Sequence, residues 1–184
     1  MRVISGQYKG AKLVSPHGEV RPTTDMVKGS LFSMLQSKGL IAGAVCLDMF
    51  CGSGALGIEA LSRGAASCVF VDADCKNVNA NLAKLKISAN VLQSDFRRAM
   101  RMLKSEKFDL VFCDPPYKTD YAEQVYKLLV KYGMLSEAGV AVLEHATDRP
   151  LHIPDSNIID KRVFGVSAFD IVRGDNESDI CGNV

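Results

Sequence analysis

The stretch Leu47-Asp-Met-Phe-Cys-Gly-Ser-Gly-Ala-Leu-Gly57 constrains this chain most. It follows the apolar start of a strand-like run, Ala44 to Met49, and sets Gly52, Gly54 and Gly57 in a G-x-G-x-x-G array ahead of a helical pattern. Glycines let a backbone come close to a ligand, and the start of the next helix offers unpaired N–H groups. Asp72 ends the next strand, twenty residues after Gly52, where a carboxylate can accept both hydroxyls of a ribose. A nucleoside cofactor is expected. The array alone suits a nicotinamide dinucleotide as well, and Asp48 argues against it: a carboxylate beside the loop repels a pyrophosphate but can pair with the amino group of a methionine moiety. The expected cofactor is therefore S-adenosyl-L-methionine. Asp95, in Gln93-Ser-Asp-Phe96, is placed to accept a bond from an adenine amino group, although alone it reads as an ordinary helix N-cap. Phe50 and Phe96, adjoining these loops, join the cofactor set.

Beyond this turn, short β-branched-rich runs alternate with segments of helical period, the pattern of an α/β fold with a parallel sheet wrapped by helices. The runs are Ala44–Met49, Cys68–Val71, Asn90–Leu92, Phe108–Cys113 and Val140–Leu143; the helices are Ala55–Arg63, Lys76–Lys86, Arg97–Leu103 and Tyr121–Lys131. Two regions depart from the alternation. Arg2 to Val14 reads as two short strands around the turn Gly6–Gly10, followed by a helix from about Thr24 to Gln36 with Val27, Leu31, Met34 and Leu35 on one face. Ile158–Phe164 and Ser167–Arg173 read as an antiparallel hairpin at one side of the sheet. Thr147 to Ser156, with two prolines, is too broken for a crossover helix. The division expected is an N-terminal hairpin-and-helix extension over residues 1–40 and one α/β domain over 41–184.

A chain of 184 residues buries about 70% of its unfolded surface, enough for a sizeable core. Apolar residues form 47% and charged residues 23%, which excludes disordered and fibrous classes. No apolar run approaches a membrane span and no secretory pattern opens the sequence, so a cytoplasmic protein with no membrane partner is expected. The six cysteines contain no C-x-x-C pair, and the reading is free, buried thiols and no metal. The net charge of +1 hides a segregation: residues 1–40 balance at +4, 76–107 at +6 and 137–184 at −5. Such asymmetry fits a phosphate-facing side and an acidic far side, though solvated helix faces would produce it too.

Asp114-Pro115-Pro116-Tyr117 follows the fourth run of the α/β alternation, at the end of the sheet where ligands gather. An exocyclic base nitrogen is a poor nucleophile because its lone pair is delocalised into the ring. Accepting its two N–H groups, one at the Asp114 carboxylate and one at the Pro115 carbonyl, draws the nitrogen toward a tetrahedral shape and aims the lone pair at a methyl donor. Proline stiffens the loop, Pro116 included, and Tyr117 supplies a ring on which a base can stack. In isolation D-P-P-Y is a rigid turn; joined to the glycine loop upstream, it points to methyl transfer onto a base amine.

With these residues in hand the chain resembles the RsmD-type family of bacterial 16S ribosomal RNA guanine-N2 methyltransferases. The resemblance rests on Gly6-Gln-Tyr-Lys-Gly10 with Leu13, Arg21-Pro-Thr-Thr-Asp25 leading into Leu31, Phe32 and Leu35, Leu47 to Gly64, and Phe108 to Tyr117. It implies a Rossmann-like class I fold with a mostly parallel seven-stranded sheet, a C-terminal antiparallel hairpin and an N-terminal β-hairpin and helix. It also implies that Asp48, Gly52, Ser53, Gly54, Asp72 and Asp95 hold S-adenosyl-L-methionine, with Arg21, Thr23 and Thr24 bordering the pocket. By the same resemblance Asp114 to Tyr117 carry the transfer, and Arg2, Lys9 and Lys12 grip the phosphates of small-subunit ribosomal RNA, free or within an assembling subunit, with the protein acting as a monomer. The chain departs from the family's usual residues at Met26, Gly29 and Cys51. The readings left open by the motifs are a DNA adenine-N6 or cytosine-N4 methyltransferase, a nicotinamide-dependent oxidoreductase and a non-catalytic RNA-binding module.

Overall fold

The computed structural model of the protein describes residues 1–15, 25–116 and 119–174. Its elements follow the expected alternation: α1 (Asp25–Ser37), β1 (Val45–Met49), α2 (Ala55–Ser62), β2 (Ser67–Asp72), α3 (Lys76–Leu85), β3 (Asn90–Gln93), α4 (Phe96–Met102), β4 (Phe108–Cys113), α5 (Tyr121–Lys131), β5 (Leu135–Ala146), β6 (Ile158–Phe164) and β7 (Ser167–Arg173). The seven strands form one sheet in the order β3-β2-β1-β4-β5-β7-β6. β1 to β5 run parallel, and β7 inserts antiparallel beside β5 with β6 outside it. This is the Rossmann-like methyltransferase architecture. Strand order reverses between β1 and β4, and it is beyond the carboxyl ends of such neighbouring strands that open α/β sheets bind ligands.

Successive residues of a strand point to opposite faces. Cys46, Phe70, Leu110, Phe112, Val142 and Phe169 pack with α1, α2 and α3 on one side. Leu47, Met49, Val71, Val111, Cys113 and Leu143 pack with α4 and α5 on the other. Burial on both faces is why the central strands read as nearly continuous apolar runs.

β5 begins at Leu135, five residues earlier than the apolar run Val140–Leu143 signalled. The polar Ser136-Glu-Ala-Gly139 segment conceals the start, and the pairing with β4 shifts register between Phe108 and Leu110 to accommodate it. The opening hairpin is slighter than two strands. It closes through a single antiparallel bridge, Arg2 with Lys12. Four of its backbone donors go to α2: Ile4 and Ser5 N–H donate to the Glu59 carboxylate at 2.8 and 3.1 Å, Gln7 N–H to the Ser62 carbonyl at 2.8 Å and Tyr8 N–H to Ser62 Oγ at 2.9 Å. Glu59, fully buried, also receives Arg63 Nε at 2.8 Å and Lys28 Nζ at 3.3 Å. Lys28 thus joins the buried face of α1, where Leu31, Met34 and Leu35 were expected and are found, while Val27 is only half-buried. Burial holds the Lys28 pKa below its ordinary value, against the opposing pull of Glu59.

Gly57 shows how tightly α2 is seated. A Cβ there would stand 2.4 Å from the Phe70 ring and 2.7 Å from Cys68 Sγ. Gly57→Ala is therefore expected to lower stability by about 1–3 kcal/mol through overpacking, even though alanine favours a helix. Gly29→Ala, where the nearest atom to a new Cβ is Ile4 Cγ2 at 3.8 Å, should raise it by about 0.5–1 kcal/mol. Calorimetric melting of the two variants should move Tm in opposite directions; a shift of the same sign in both would contradict the packing account.

Candidate active site

The turn after β1 is built from three left-handed residues, Phe50 (φ 58°), Gly52 (φ 53°) and Gly54 (φ 76°). For Phe50 that conformation costs roughly 1–2 kcal/mol, strain of the kind that persists where the surroundings impose it. Those surroundings are hydrogen bonds from the loop to the sheet: Cys51 N–H to the Val71 carbonyl at 3.0 Å, Gly52 N–H to Asp72 Oδ2 at 2.8 Å and Gly57 N–H to Asp48 Oδ2 at 2.8 Å. Asn81, fully buried on α3, donates to the carbonyls of Ser53 and Val14 at 2.9 Å each and accepts from Val14 N–H. The open end of the N-terminal hairpin is thereby pinned against the loop.

Asp48 is buried under this turn, and burial pushes its carboxyl up to about 7; the Gly57 amide pulls the other way and the charge of Asp72 adds to the rise. Asp72 closes β2 and also accepts from Asp74 N–H at 3.0 Å through Oδ1. Asp95 caps α4, its Oδ1 accepting from Arg97 N–H at 3.0 Å. Behind it Phe96 packs against Phe50 at 5.3 Å and Tyr121 at 4.9 Å between ring centroids, and the Arg97 guanidinium lies 4.4 Å from the centre of the Phe96 ring. Asp48, Asp72 and Asp95 thus meet a glycine turn and an aromatic wall, a set of acceptors that fits the ammonium, ribose hydroxyls and adenine amine of S-adenosylmethionine.

Asp114 follows β4. Asp48, Phe112 and Val142 are register partners across β1, β4 and β5, so Asp114 and Glu144, two residues further on, share their face of the sheet. Glu144 stands close enough to Asp114 to act on its ionisation. Burial first, then the Glu144 charge and hydrogen bond, then Asp48, raise the Asp114 pKa well above the carboxylate range. Pro115, Pro116, Glu144, His145, Arg149 and Leu151 line a small open depression next to this pair. His145 Nε2 stands 3.4 Å from Asp170; burial is the largest influence and opposes its charging, but Asp170 and the Ala146 and Arg149 backbone together outweigh it and its pKa is raised.

Arg21, Thr23, Thr24 and Tyr117 lie outside the described residues. Arg2 and Lys12 sit at the open end of the hairpin near the loop, with Arg2 Nε 2.8 Å from Asp25 and the Lys12 carbonyl accepting Lys84 Nζ. Lys9 is exposed at the turn, toward the far end of α2. Sequence reasoning missed Tyr121, Asn81 and Glu144. The first lay in a helix read only for its period, the second in the interior of a helix, and the third at the end of an apolar run, where only strand pairing reveals its neighbour. Among the described residues, five cysteines are free and buried, no group of three or more His, Cys, Asp or Glu side chains could hold a metal, and no helix is long and apolar enough to cross a membrane.

The profile of the family described as Conserved hypothetical protein 95 matches residues 1–173. The chain belongs to that family, the RsmD family. YlbH of Bacillus subtilis is 43% identical over 164 residues, spanning 85% of this chain and 87% of that protein. Ribosomal RNA small subunit methyltransferase D of Escherichia coli (strain K12) is 38% identical over 164 residues, spanning 85% and 80%. The solved structure of yhhF from Escherichia coli superposes with a TM-score of 0.81 at 35% identity, covering 96% of this chain and 99% of that one.

Because the folded Asp48 carboxyl is a weaker acid than the unfolded one, the native state holds an extra proton between about pH 4 and about 7. Stability should fall as pH rises through that window and level off above it, with Asp114 contributing in the same sense. Urea unfolding of Asp48→Asn between pH 5 and 8 should show a shallower decline than the parent; an identical slope would remove Asp48 as its source.

Proposed function

We propose that the protein transfers a methyl group from S-adenosylmethionine to the exocyclic N2 of a guanine in small-subunit ribosomal RNA. The observation that carries the reading is the Asp114-Pro115 turn standing beside an acid-lined glycine loop on adjacent strands. The names of relatives such as the Escherichia coli protein support ribosomal RNA as the substrate.

When bound, the cofactor supplies an electrophilic methyl carbon on a sulfonium centre. Asp48 would hold its ammonium group, Asp72 its ribose hydroxyls, and Asp95 with Phe50, Phe96 and Tyr121 its adenine. Arg21, Thr23 and Thr24 would border that pocket, with Gly52, Ser53 and Gly54 cradling it. Asp114 and the Pro115 carbonyl would accept the two N–H groups of the base amine, and a carboxylate fixed before reaction stabilises the charge that develops on nitrogen without having to reorient. The nitrogen gives up one proton on forming its fourth bond, and water would take it. Pro116 stiffens the turn and Tyr117 would stack on the base. Arg2, Lys9 and Lys12 would meet phosphates, so binding should weaken steeply with salt. A base in a loop is the cheaper target, since extracting a paired one costs a few kcal/mol.

Purified protein, labelled S-adenosylmethionine and either small-subunit RNA or partly assembled subunits should yield N2-methylguanosine by mass spectrometry. Asp114→Asn should lower the rate about 100-fold or more while calorimetric affinity for the cofactor stays within a few-fold. Label only in adenine or cytosine would reject the guanine assignment, and binding of a nicotinamide dinucleotide in place of S-adenosylmethionine would reject methyl transfer altogether.

A further inference from the structure

Two carboxylates at the acceptor end are one more than holding an amine requires. Asp114, just past β4, and Glu144, on β5, each stand two residues beyond the register partners Phe112 and Val142 and share a face of the sheet. Adjacent parallel strands lie about 4.8 Å apart, which sets the two carboxyl groups side by side. Adjacent donors on the pairing edge of a base need neighbouring acceptors. Guanine alone among the four bases presents two adjacent donors there, N1–H and the N2 amine. Adenine and cytosine set a ring-nitrogen lone pair beside their amine, and a carboxylate oxygen repels it. Enzymes that extract a base read it through this edge. The depression that Glu144 lines with Pro115 and Pro116 gives a base a way in beside the pair.

We infer that Glu144 is the residue that makes this site select guanine, accepting the N1–H of the base while Asp114 accepts one N–H of the amine to be methylated. The assignment rests on the methyl-transfer reading above. Two carboxyl groups side by side offer separate acceptors, one for the ring N–H and one for the amine. A site built around buried polar groups rejects an analogue lacking the matching hydrogen, because one buried group is then left facing a lone pair. Glu144 is a specificity residue in this scheme; the amine is held by Asp114 and Pro115.

The test uses the RNA fragment that the parent protein methylates, prepared with guanine or with 2-aminopurine at the accepting position. 2-Aminopurine keeps the amine and replaces the N1–H with a lone pair. The parent should prefer guanine in kcat/KM by about 10- to 100-fold, the range that one well-matched pair of hydrogen bonds discriminates. Glu144→Met keeps the length of the side chain and removes both acceptor oxygens. It should lose activity on guanine and bring the two substrates within a few-fold of each other, with cofactor affinity by calorimetry unchanged as the check on folding. Equal use of both bases by the parent overturns the assignment whatever the variant does, as does a Glu144→Met protein that keeps the full preference. Failure of the parent to methylate any guanine of small-subunit RNA fails the methyl-transfer reading itself, an outcome distinct from loss of base preference.

Discussion

The hydrogen bond from Gly57 N–H to Asp48 organises the ligand-facing end of the sheet. Every helix begins with backbone N–H groups that have no partner within the helix, and a polar side chain at the N-cap usually serves one of them. The N-cap of α2 is Gly54, held at φ 76° and without a side chain to do so. A Cβ at Gly54 would also stand 2.7 Å from Val78. The cap must come from elsewhere, and the strand supplies it through Asp48, reaching across the loop to the third residue of the helix. The geometry forces the carboxylate beneath the turn, out of solvent, and its elevated pKa follows from that position. Strain at Phe50, the buried acid and the close seat of α2 on Phe70 are all consequences of bringing a helix start this near to a strand end.

The same demand explains why the N-terminal segment belongs to the site. Its backbone gives its hydrogen bonds to Glu59, Ser62 and Asn81, so a buried carboxylate on α2 and a buried amide on α3 replace the neighbouring strand that the segment lacks. Breaking a buried ion pair by removing one partner costs about 3–5 kcal/mol because the other charge is stranded. Glu59 has two cationic partners and two amides, and this redundancy lets a short hairpin with a single bridge keep a fixed place beside the glycine loop.

Features governed by local rules were legible in the sequence. Strand and helix order, the three glycines, the Asp95 cap and the closing hairpin each follow from periodicity or turn chemistry within a few residues, and each stands where the pattern put it. What escaped depends on pairing between distant segments. The early start of β5 is hidden because Ser136 and Glu137 have no apolar signature, and their place in the sheet is decided by β4. Lys28 reads as a solvent-facing residue until Glu59 is known to lie opposite. Tyr121 joins the aromatic wall only because α4 and α5 start side by side. Glu144 is one letter after an apolar run, and nothing within its own strand announces that Asp114 will be its neighbour.

Parallel pairing brings the acids together. Strands in register carry residues of the same parity to the same face, so aspartates or glutamates placed just inside or just past the ends of β1, β4 and β5 must converge. Convergence is unfavourable for the empty protein: like charges out of water raise one another's pKa, and Asp114 carries that cost. A fold maintains such a cluster against its own stability when a bound partner brings the compensating positive charge and hydrogen-bond donors. In the proposed reading a sulfonium with an ammonium group would supply the charge, and an amine flanked by a ring N–H would supply the donors. The arrangement is thus poorly suited to an anionic dinucleotide or to a base edge with a lone pair at its centre, and its electrostatics favour a cation and a donor-rich base.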